Sequence, residues 1–185
     1  KSRIISSHQQ VIRFDRESTD EISIKSQNII LETVKKNIEN YEIILLSDYG
    51  KGVLTNNLTC SLIDIANRHN IKVLVDPKGK DFSKYKGAYL LTPNKKEASD
   101  ATNIDIKNDL SLTSALVQLK SEYKLGVSLI TLSEHGIAIF DDKLSIHPTS
   151  SKEVYDVTGA GDTVLASLGF ALACKYDINT AVKFA

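Results

Sequence analysis

Apolar residues follow two alternating patterns along the chain. Apolar residues that recur every three or four positions predict helices at residues 24–38, 58–66, 112–123 and 160–175. Short, mostly apolar runs between them predict strands, at residues 43–46, 72–75, 88–91 and 127–132. Continuous apolar strands that alternate with amphipathic helices are typical of a mostly parallel sheet covered by helices on both faces. The pattern therefore predicts an α/β fold.

Two segments depart from that alternation. Residues 137–146 predict a β-hairpin with its turn at 141–143, and residues 3–14 mix polar and β-branched residues as in a short β-ribbon. No repeat or linker divides residues 1–185, so we expect one domain. The chain has no Met and ends within a predicted helix, and we expect a partial domain that lacks N- and C-terminal parts.

Composition disfavours several classes of protein. The chain is 42% hydrophobic and 25% charged, and its 23 basic and 23 acidic residues cancel, so nothing indicates nucleic-acid binding. No apolar run approaches the roughly 20 residues that cross a bilayer, and the first residues do not resemble a signal peptide. Cys60 and Cys174 lie far apart, and we predict that they are reduced, partly buried residues of a cytoplasmic protein.

The most specific pattern lies at the start of the helix predicted at 160–175. Residues 156–163 read Asp-Val-Thr-Gly-Ala-Gly-Asp-Thr. Small residues leave the first N–H groups of a helix accessible, and with the helix dipole these groups can bind an anion. The carboxylate of Asp162 could accept the proton of a hydroxyl that attacks phosphorus. On spacing alone, a glycine-rich helix start with an Asp favoured by the dipole explains the pattern equally well.

A second polar segment follows the strand predicted at 88–91. Ligands bind beyond the carboxyl ends of the strands in such sheets. Asn94 and Glu97 have the spacing of a capping box, which needs no ligand. The same two side chains could also hold a hydrated Mg²⁺ near phosphates, and the two roles can coexist.

Similar segments follow the strands predicted at 43–46 and 72–75. Asp48 could accept hydrogen bonds from sugar hydroxyls, and Lys51 is a mobile cation suited to a phosphate. Asp76 and Lys78 repeat this arrangement after the next strand. Turns with solvated lysines are the alternative for both segments.

Residues 156–163 together resemble the C-terminal signature of the ribokinase/PfkB family of carbohydrate kinases, and residues 92–97 resemble its Asn-x-x-Glu motif. The resemblance implies a ribokinase-like fold that uses ATP and Mg²⁺. It implies an anion hole at Gly159, Ala160 and Gly161, with Asp162 as the catalytic base. It also implies Mg²⁺ binding by Glu97 through water. The nucleotide-binding residues that it implies are Asn94, Lys95, Lys96, Glu97, Ser133, Gly136 and Thr158, although a simple polar loop is the alternative for residues 131–136.

The order of motifs resembles one branch of that family, the bacterial heptose 7-phosphate kinases that carry an adenylyltransferase domain. This implies phosphorylation of D-glycero-β-D-manno-heptose 7-phosphate at its anomeric hydroxyl, on the route to ADP-heptose and lipopolysaccharide. The implied substrate contacts are Gln10, Arg13, Asp48, Lys51, Asp76 and Lys78, of which Arg13 and Lys51 suit the 7-phosphate best. No His-x-Gly-His motif occurs in the chain, so we expect any adenylyltransferase to lie outside it. Residues 1–15 could form a lid or a dimer ribbon, which makes a homodimer a further expectation.

Two other interpretations stay open. The chain could be another kinase of the same family, acting on ribose, a nucleoside or a fructose phosphate. It could also be a non-catalytic nucleotide-binding module, although such a binder has no need of Asp162. An NAD-dependent enzyme is disfavoured because the Gly-x-Gly-x-x-Gly turn after an early strand is missing.

Overall fold

The computed structural model describes residues 2–6, 9–149 and 159–185. Its strands are β1 Ser2–Ser6, β2 Gln9–Phe14, β3 Ile43–Ser47, β4 Lys72–Asp76, β5 Leu90–Leu91, β6 Ser128–Thr131, β7 Ile137–Phe140 and β8 Leu144–His147. Its helices are α1 Ile24–Asn37, α2 Asn56–Arg68, α3 Lys95–Thr102, α4 Asp109–Glu122, α5 Ala160–Ala173 and α6 Ile178–Phe184. Short 3₁₀ turns lie at Ile38–Asn40, Ser83–Tyr85 and Ser133–His135.

The central sheet has a parallel part and an antiparallel part. Strands β3, β4 and β5 pair in parallel in that order, while β6, β7 and β8 pair antiparallel. Backbone bonds from Val127 N to Tyr89 O (2.9 Å) and from Thr131 N to Pro93 O (3.0 Å) place β6 beside β5. The predicted α/β fold is confirmed, and the antiparallel part contains the predicted hairpin.

The faces of the sheet alternate residue by residue, because successive side chains of a strand point to opposite sides. On one face, Leu46, Val73 and Val75 pack in a core with α2 and α4. On the other, Leu74 and Leu90 pack in a core with α5 and α6. Helices therefore cover both sides of the sheet, as the apolar strands predict.

The first two strands form the predicted β-ribbon. Strands β1 and β2 pair antiparallel with an irregularity between Ile4 and Ile5. Large apolar side chains stay exposed on the ribbon: Ile4, Ile5, Val11, Ile12 and Phe14. Its expected role as a lid or dimer contact stays a prediction.

Two further sequence expectations can be compared with the structure. Cys60 and Cys174 are exposed rather than partly buried, because Cys60 lies on the outer side of α2 and Cys174 follows the end of α5. Within residues 2–6, 9–149 and 159–185, no helix has the length and apolar character that a membrane crossing requires.

Candidate active site

The site is built where the carboxyl ends of β3 and β4 meet the start of α5. Helix α5 packs on both strands. Alternation along β3 directs Leu45, Ser47 and the following Tyr49 towards this helix, and Leu45 lies so close to Gly169 that an added Cβ would be 2.7 Å from it. The same alternation in β4 places Asp76 on the α5 face. Polar groups from three elements therefore converge at one edge of the sheet.

Asp162 lies in the first turn of α5 and accepts hydrogen bonds from that edge. Ser47 Oγ donates to Asp162 Oδ1 over 3.1 Å. The Tyr49 hydroxyl lies 3.0 Å from Oδ1 and 2.9 Å from Oδ2 of the same carboxylate. The carboxylate is exposed and oriented by two hydroxyl groups, so it can meet a hydroxyl of a bound molecule.

The start of α5 has the features of an anion site. Its N-cap residue, Gly159, has φ 81°, a conformation that favours glycine. Among the described residues no side chain caps this helix start, whereas side chains cap α1, α2, α3, α4 and α6. A Cβ added at Gly159 would meet no atom within 4 Å, and one at Gly161 would lie 4.0 Å from Asp76 Oδ2. Within the described part of the chain, open space therefore surrounds the two glycines at the helix start, where the first N–H groups have no helical partner.

Negative charge accumulates beside this space. Burial first, and then the nearby negative charges of Glu97 and Asp162, raise the pKa of Asp76 to about 6, although the charge of Lys78 acts in the opposite direction. Lys78 Nζ lies 3.8 Å from Glu97 Oε1. Three carboxylates with one nearby lysine favour the approach of a cation, so the residues present fit a divalent ion brought in with a nucleotide.

Asn94 and Glu97 form the predicted capping box of α3. The Asn94 side chain accepts from Glu97 N over 2.9 Å, and Glu97 Oε2 accepts from Asn94 N over 3.0 Å. Glu97 Oε1 faces Lys78 and stays outside the capping contact. Within the described ranges no three His, Cys, Asp or Glu side chains form a ready-made metal cage. The arrangement thus fits an ion held through water rather than one enclosed by the protein.

A shallow groove of about 740 Å³ brings together several residues of the predicted nucleotide site. Asn94, Lys95, Lys96 and Ser133 line it. The groove also includes residues that the sequence did not single out, namely Ser99, Asp105, Ile106 and Lys107. Lys95 and Lys96 suit an anionic ligand, whereas Lys107 pairs with Asp105 over 2.6 Å.

The two remaining predicted nucleotide residues differ from this group. Gly136 has φ 91°, and an added Cβ would lie 2.0 Å from His147 O, so its position requires glycine for close packing against β8. Thr158 lies outside the described residues.

Among the predicted sugar contacts, Asp76 and Lys78 lie at the site, whereas Asp48 does not. Asp48 lies on the face of the sheet opposite Ser47 and Tyr49, with a side chain only 3% exposed. Lys51 forms an ion pair with Glu17, in the segment between β2 and α1. Gln10 and Arg13 lie on β2, and their side chains are outside the described part of the structure.

Sequence reasoning missed two hydroxyl groups, those of Ser47 and Tyr49. The available signal was weak: alternation continued beyond the end of β3 would put the side chains at 47 and 49 on one side, but β3 ends at Ser47. Their contact with Asp162 spans more than 110 positions, 115 for Ser47 and 113 for Tyr49, so the sequence alone could not identify the partner.

Comparison with known families identifies the family of the chain. Residues 3–185 match the pattern described as "pfkB family carbohydrate kinase". The chain belongs to this family. The match includes residues 92–97 and 156–163, so the family resemblance of these motifs is confirmed.

Individual relatives and solved structures add detail. "Bifunctional protein HldE" of Aliarcobacter butzleri is 63% identical over 185 residues, and that of Sulfurimonas denitrificans is 55% identical. The match covers the whole chain but only 39% of each relative.

Phosphofructokinase-2 from Escherichia coli, in complex with potassium, superposes with a TM-score of 0.77 over 95% of this chain and 57% of that one, at 20% identity. Arabidopsis thaliana ribokinase complexed with ribose and ATP gives 0.69 over 88% of this chain and 50% of that one, at 19% identity. The fold is thus ribokinase-like.

Proposed function

We propose that the chain is the ATP-dependent kinase domain that phosphorylates D-glycero-β-D-manno-heptose 7-phosphate at its anomeric hydroxyl to give the 1,7-bisphosphate. The observation that carries the proposal is the exposed carboxylate of Asp162 beside the first turn of α5, which no described side chain caps. A base and a set of anion-binding N–H groups are the two elements that phosphoryl transfer to a hydroxyl requires.

Asp162 accepts the proton of the anomeric hydroxyl as that oxygen attacks the γ-phosphorus of ATP. Ser47 and Tyr49 hold the carboxylate in place until the sugar hydroxyl replaces one of their hydrogen bonds. The N–H groups after Gly159 stabilise the charge that spreads over the transferring phosphoryl oxygens. ADP leaves, and the proton stays on Asp162 until solvent removes it.

The groove at the start of α3 binds the phosphates of ATP through Lys95 and Lys96. Asp76 and Glu97 are the residues that would hold Mg²⁺ through water. When bound, this ion would neutralise phosphate charge. Lys78, beside Glu97, adds a fixed positive charge at the same edge.

The choice of heptose rests on the relatives named bifunctional protein HldE and on the order of motifs in the chain. The chain spans about two-fifths of those relatives (39%), so an adenylyltransferase domain in the remainder belongs to the proposal. Arg13 and Lys51 are the proposed contacts of the 7-phosphate, and binding there would exchange the Glu17 partner of Lys51 for phosphate. Because the reaction consumes ATP, we place it in the cytoplasm.

A substrate panel with the full-length protein tests the proposal. ATP consumption with Mg²⁺ is measured with heptose 7-phosphate, fructose 6-phosphate, fructose 1-phosphate and ribose. Turnover confined to the heptose supports the proposal. Turnover on another sugar keeps the kinase and rejects the heptose, and ATP binding without turnover on any of them supports a nucleotide-binding module instead.

A further inference from the structure

A second polar cluster lies behind the site, on the opposite face of β3. Its centre is the carboxylate of Asp48, which accepts three hydrogen bonds. Gly50 N donates over 2.7 Å, Lys84 Nζ over 2.6 Å and the Tyr85 hydroxyl over 2.7 Å. A buried carboxylate with this many donors is fully satisfied by the protein, so it has no need of a ligand.

Tyr85 extends the cluster towards the site. Its side chain is fully buried, and its hydroxyl accepts a hydrogen bond from Lys78 N over 3.1 Å while donating to Asp48. The hydroxyl thus links the end of β3 to the loop after β4. Lys84 adds a second link, because its Nζ also donates to Leu54 O over 3.1 Å.

Both loops held by this cluster carry groups of the candidate active site. Gly50 follows Tyr49, whose hydroxyl contacts Asp162, and Lys78 faces Glu97 and Asp76. The loops also touch each other, since a Cβ added at Gly50 would lie 3.4 Å from Lys78 Cγ. A shift of one loop would therefore move Tyr49 beside Asp162, and a shift of the other would move Lys78 beside Glu97.

The charge states of Asp48 and Tyr85 suit a carboxylate acceptor and a hydroxyl donor. Burial would raise the pKa of Asp48, but the hydrogen bonds from Lys84, Tyr85 and Gly50 and the charge of Lys84 outweigh it and lower that pKa. Burial raises the pKa of Tyr85, and its contact with Asp48 acts in the same direction. Asp48 thus stays ionised as an acceptor, and Tyr85 keeps its proton as a donor.

We infer that Asp48 and Tyr85 are positioning residues, which fix the loops of Tyr49 and Lys78 so that Asp162, Asp76 and Glu97 meet the reacting groups in one arrangement. This inference rests on the proposed kinase function. It gives Asp48 a role other than the sugar contact expected from the sequence, and it gives Tyr85 a role that no sequence pattern indicated.

The test compares Tyr85→Phe with Tyr123→Phe in the full-length protein. Both tyrosines are buried and both rings pack against Phe82, at centroid distances of 6.0 Å and 5.8 Å, so each variant removes one hydroxyl from the same aromatic cluster. The Tyr85 hydroxyl bonds both loops, whereas the Tyr123 hydroxyl bonds Glu122 and the backbone of Phe82. Two quantities are measured: kcat and KM with heptose 7-phosphate and ATP, and hydrogen exchange at the amide of Lys78.

We expect Tyr85→Phe to lower kcat by about 10- to 100-fold, the scale of a small misplacement of reacting groups, with a much smaller change in KM for ATP. The Lys78 amide should exchange faster, because it loses its acceptor. Tyr123→Phe should change neither quantity. Asp48→Asn keeps the size of the side chain but removes its charge, and it should lower kcat in the same way. This variant tests the inference if Tyr85→Phe does not fold.

The outcomes separate the inference from the proposed function. A wild-type protein without turnover on any sugar phosphate removes the proposed function, and the exchange rate of Lys78 then decides whether Tyr85 holds the loop. If the wild type turns over and Tyr85→Phe and Asp48→Asn retain its kcat, the positioning role is wrong. It is also wrong if Tyr123→Phe loses as much kcat as Tyr85→Phe, since the effect would then follow from general loss of packing.

Discussion

Replacing Gly161 by alanine should separate the stability of the chain from its activity. Gly161 is the second residue of α5, and its φ lies outside the left-handed region. A Cβ there meets no atom closer than Asp76 Oδ2 at 4.0 Å, so the methyl group fits without strain. Alanine is favoured over glycine within a helix by roughly 0.5–1 kcal/mol. The free energy of unfolding should therefore stay the same or rise by up to about 1 kcal/mol.

The kcat of Gly161→Ala should fall even though its stability does not. The added methyl group points into the open space between α5 and Asp76, where the proposal places the transferring phosphoryl group. The backbone N–H groups remain, but the methyl group would keep a phosphoryl oxygen from reaching one of them. Losing one such donor to a developing oxyanion costs on the order of 10²- to 10³-fold in kcat, and we expect a loss of that size. Urea unfolding and kcat with heptose 7-phosphate, both on the full-length protein, measure the two effects.

Gly159→Ala is the contrasting variant. Its Cβ also meets open space, but φ 81° makes a non-glycine residue cost roughly 1–2 kcal/mol. We therefore expect Gly159→Ala to lose stability where Gly161→Ala does not. A stable Gly161→Ala variant with near-normal kcat would refute the assignment of the anion site to the start of α5.

Two further predictions concern the carboxylates around Asp162. Glu97→Gln should raise the Mg²⁺ concentration needed for half-maximal turnover. The stability of the protein should stay nearly unchanged, because a glutamine oxygen can still accept from Asn94 N. An unchanged Mg²⁺ titration would leave Glu97 only its capping role. The pKa of Asp76 is raised from 3.8 to about 6, so the folded state binds this proton more tightly than the unfolded chain, and stability should fall as pH rises through that interval. Asp76→Asn should flatten this fall in thermal unfolding measured across it, whereas an unaltered pH profile would contradict the raised pKa.

Much of the fold could be predicted because local patterns determine it. Apolar runs predicted β3 and β4, and the spacing of Asn94 and Glu97 predicted the capping box that begins α3. The strand predicted at 88–91 has a ladder of only two residues, Leu90–Leu91. The strand is shorter than predicted because its length depends on where the chain begins to pair with β4, and a local sequence pattern does not show that.

The site was predictable only in part, for a related reason. Asp162 and Glu97 lie in motifs whose residues are neighbours in sequence, so a local pattern could indicate them. The surroundings of Asp48 depend on Lys84 and Tyr85, which lie 36 and 37 positions away. A carboxylate after a strand looks the same in sequence whether it faces a ligand or a buried tyrosine. Only the pairing of β3 with β4, and the path of the loop after β4, decides between them.

The most direct test of the central claim is kcat of Asp162→Asn in the full-length protein, with heptose 7-phosphate and ATP as substrates. Asparagine can still accept the hydrogen bonds of Ser47 and Tyr49, so the fold and the binding of ATP should stay intact. Because asparagine cannot take up the proton, kcat should fall by roughly 10²- to 10⁴-fold. Near-normal turnover by a correctly folded Asp162→Asn variant would contradict the account, since the carboxylate would then not be the base.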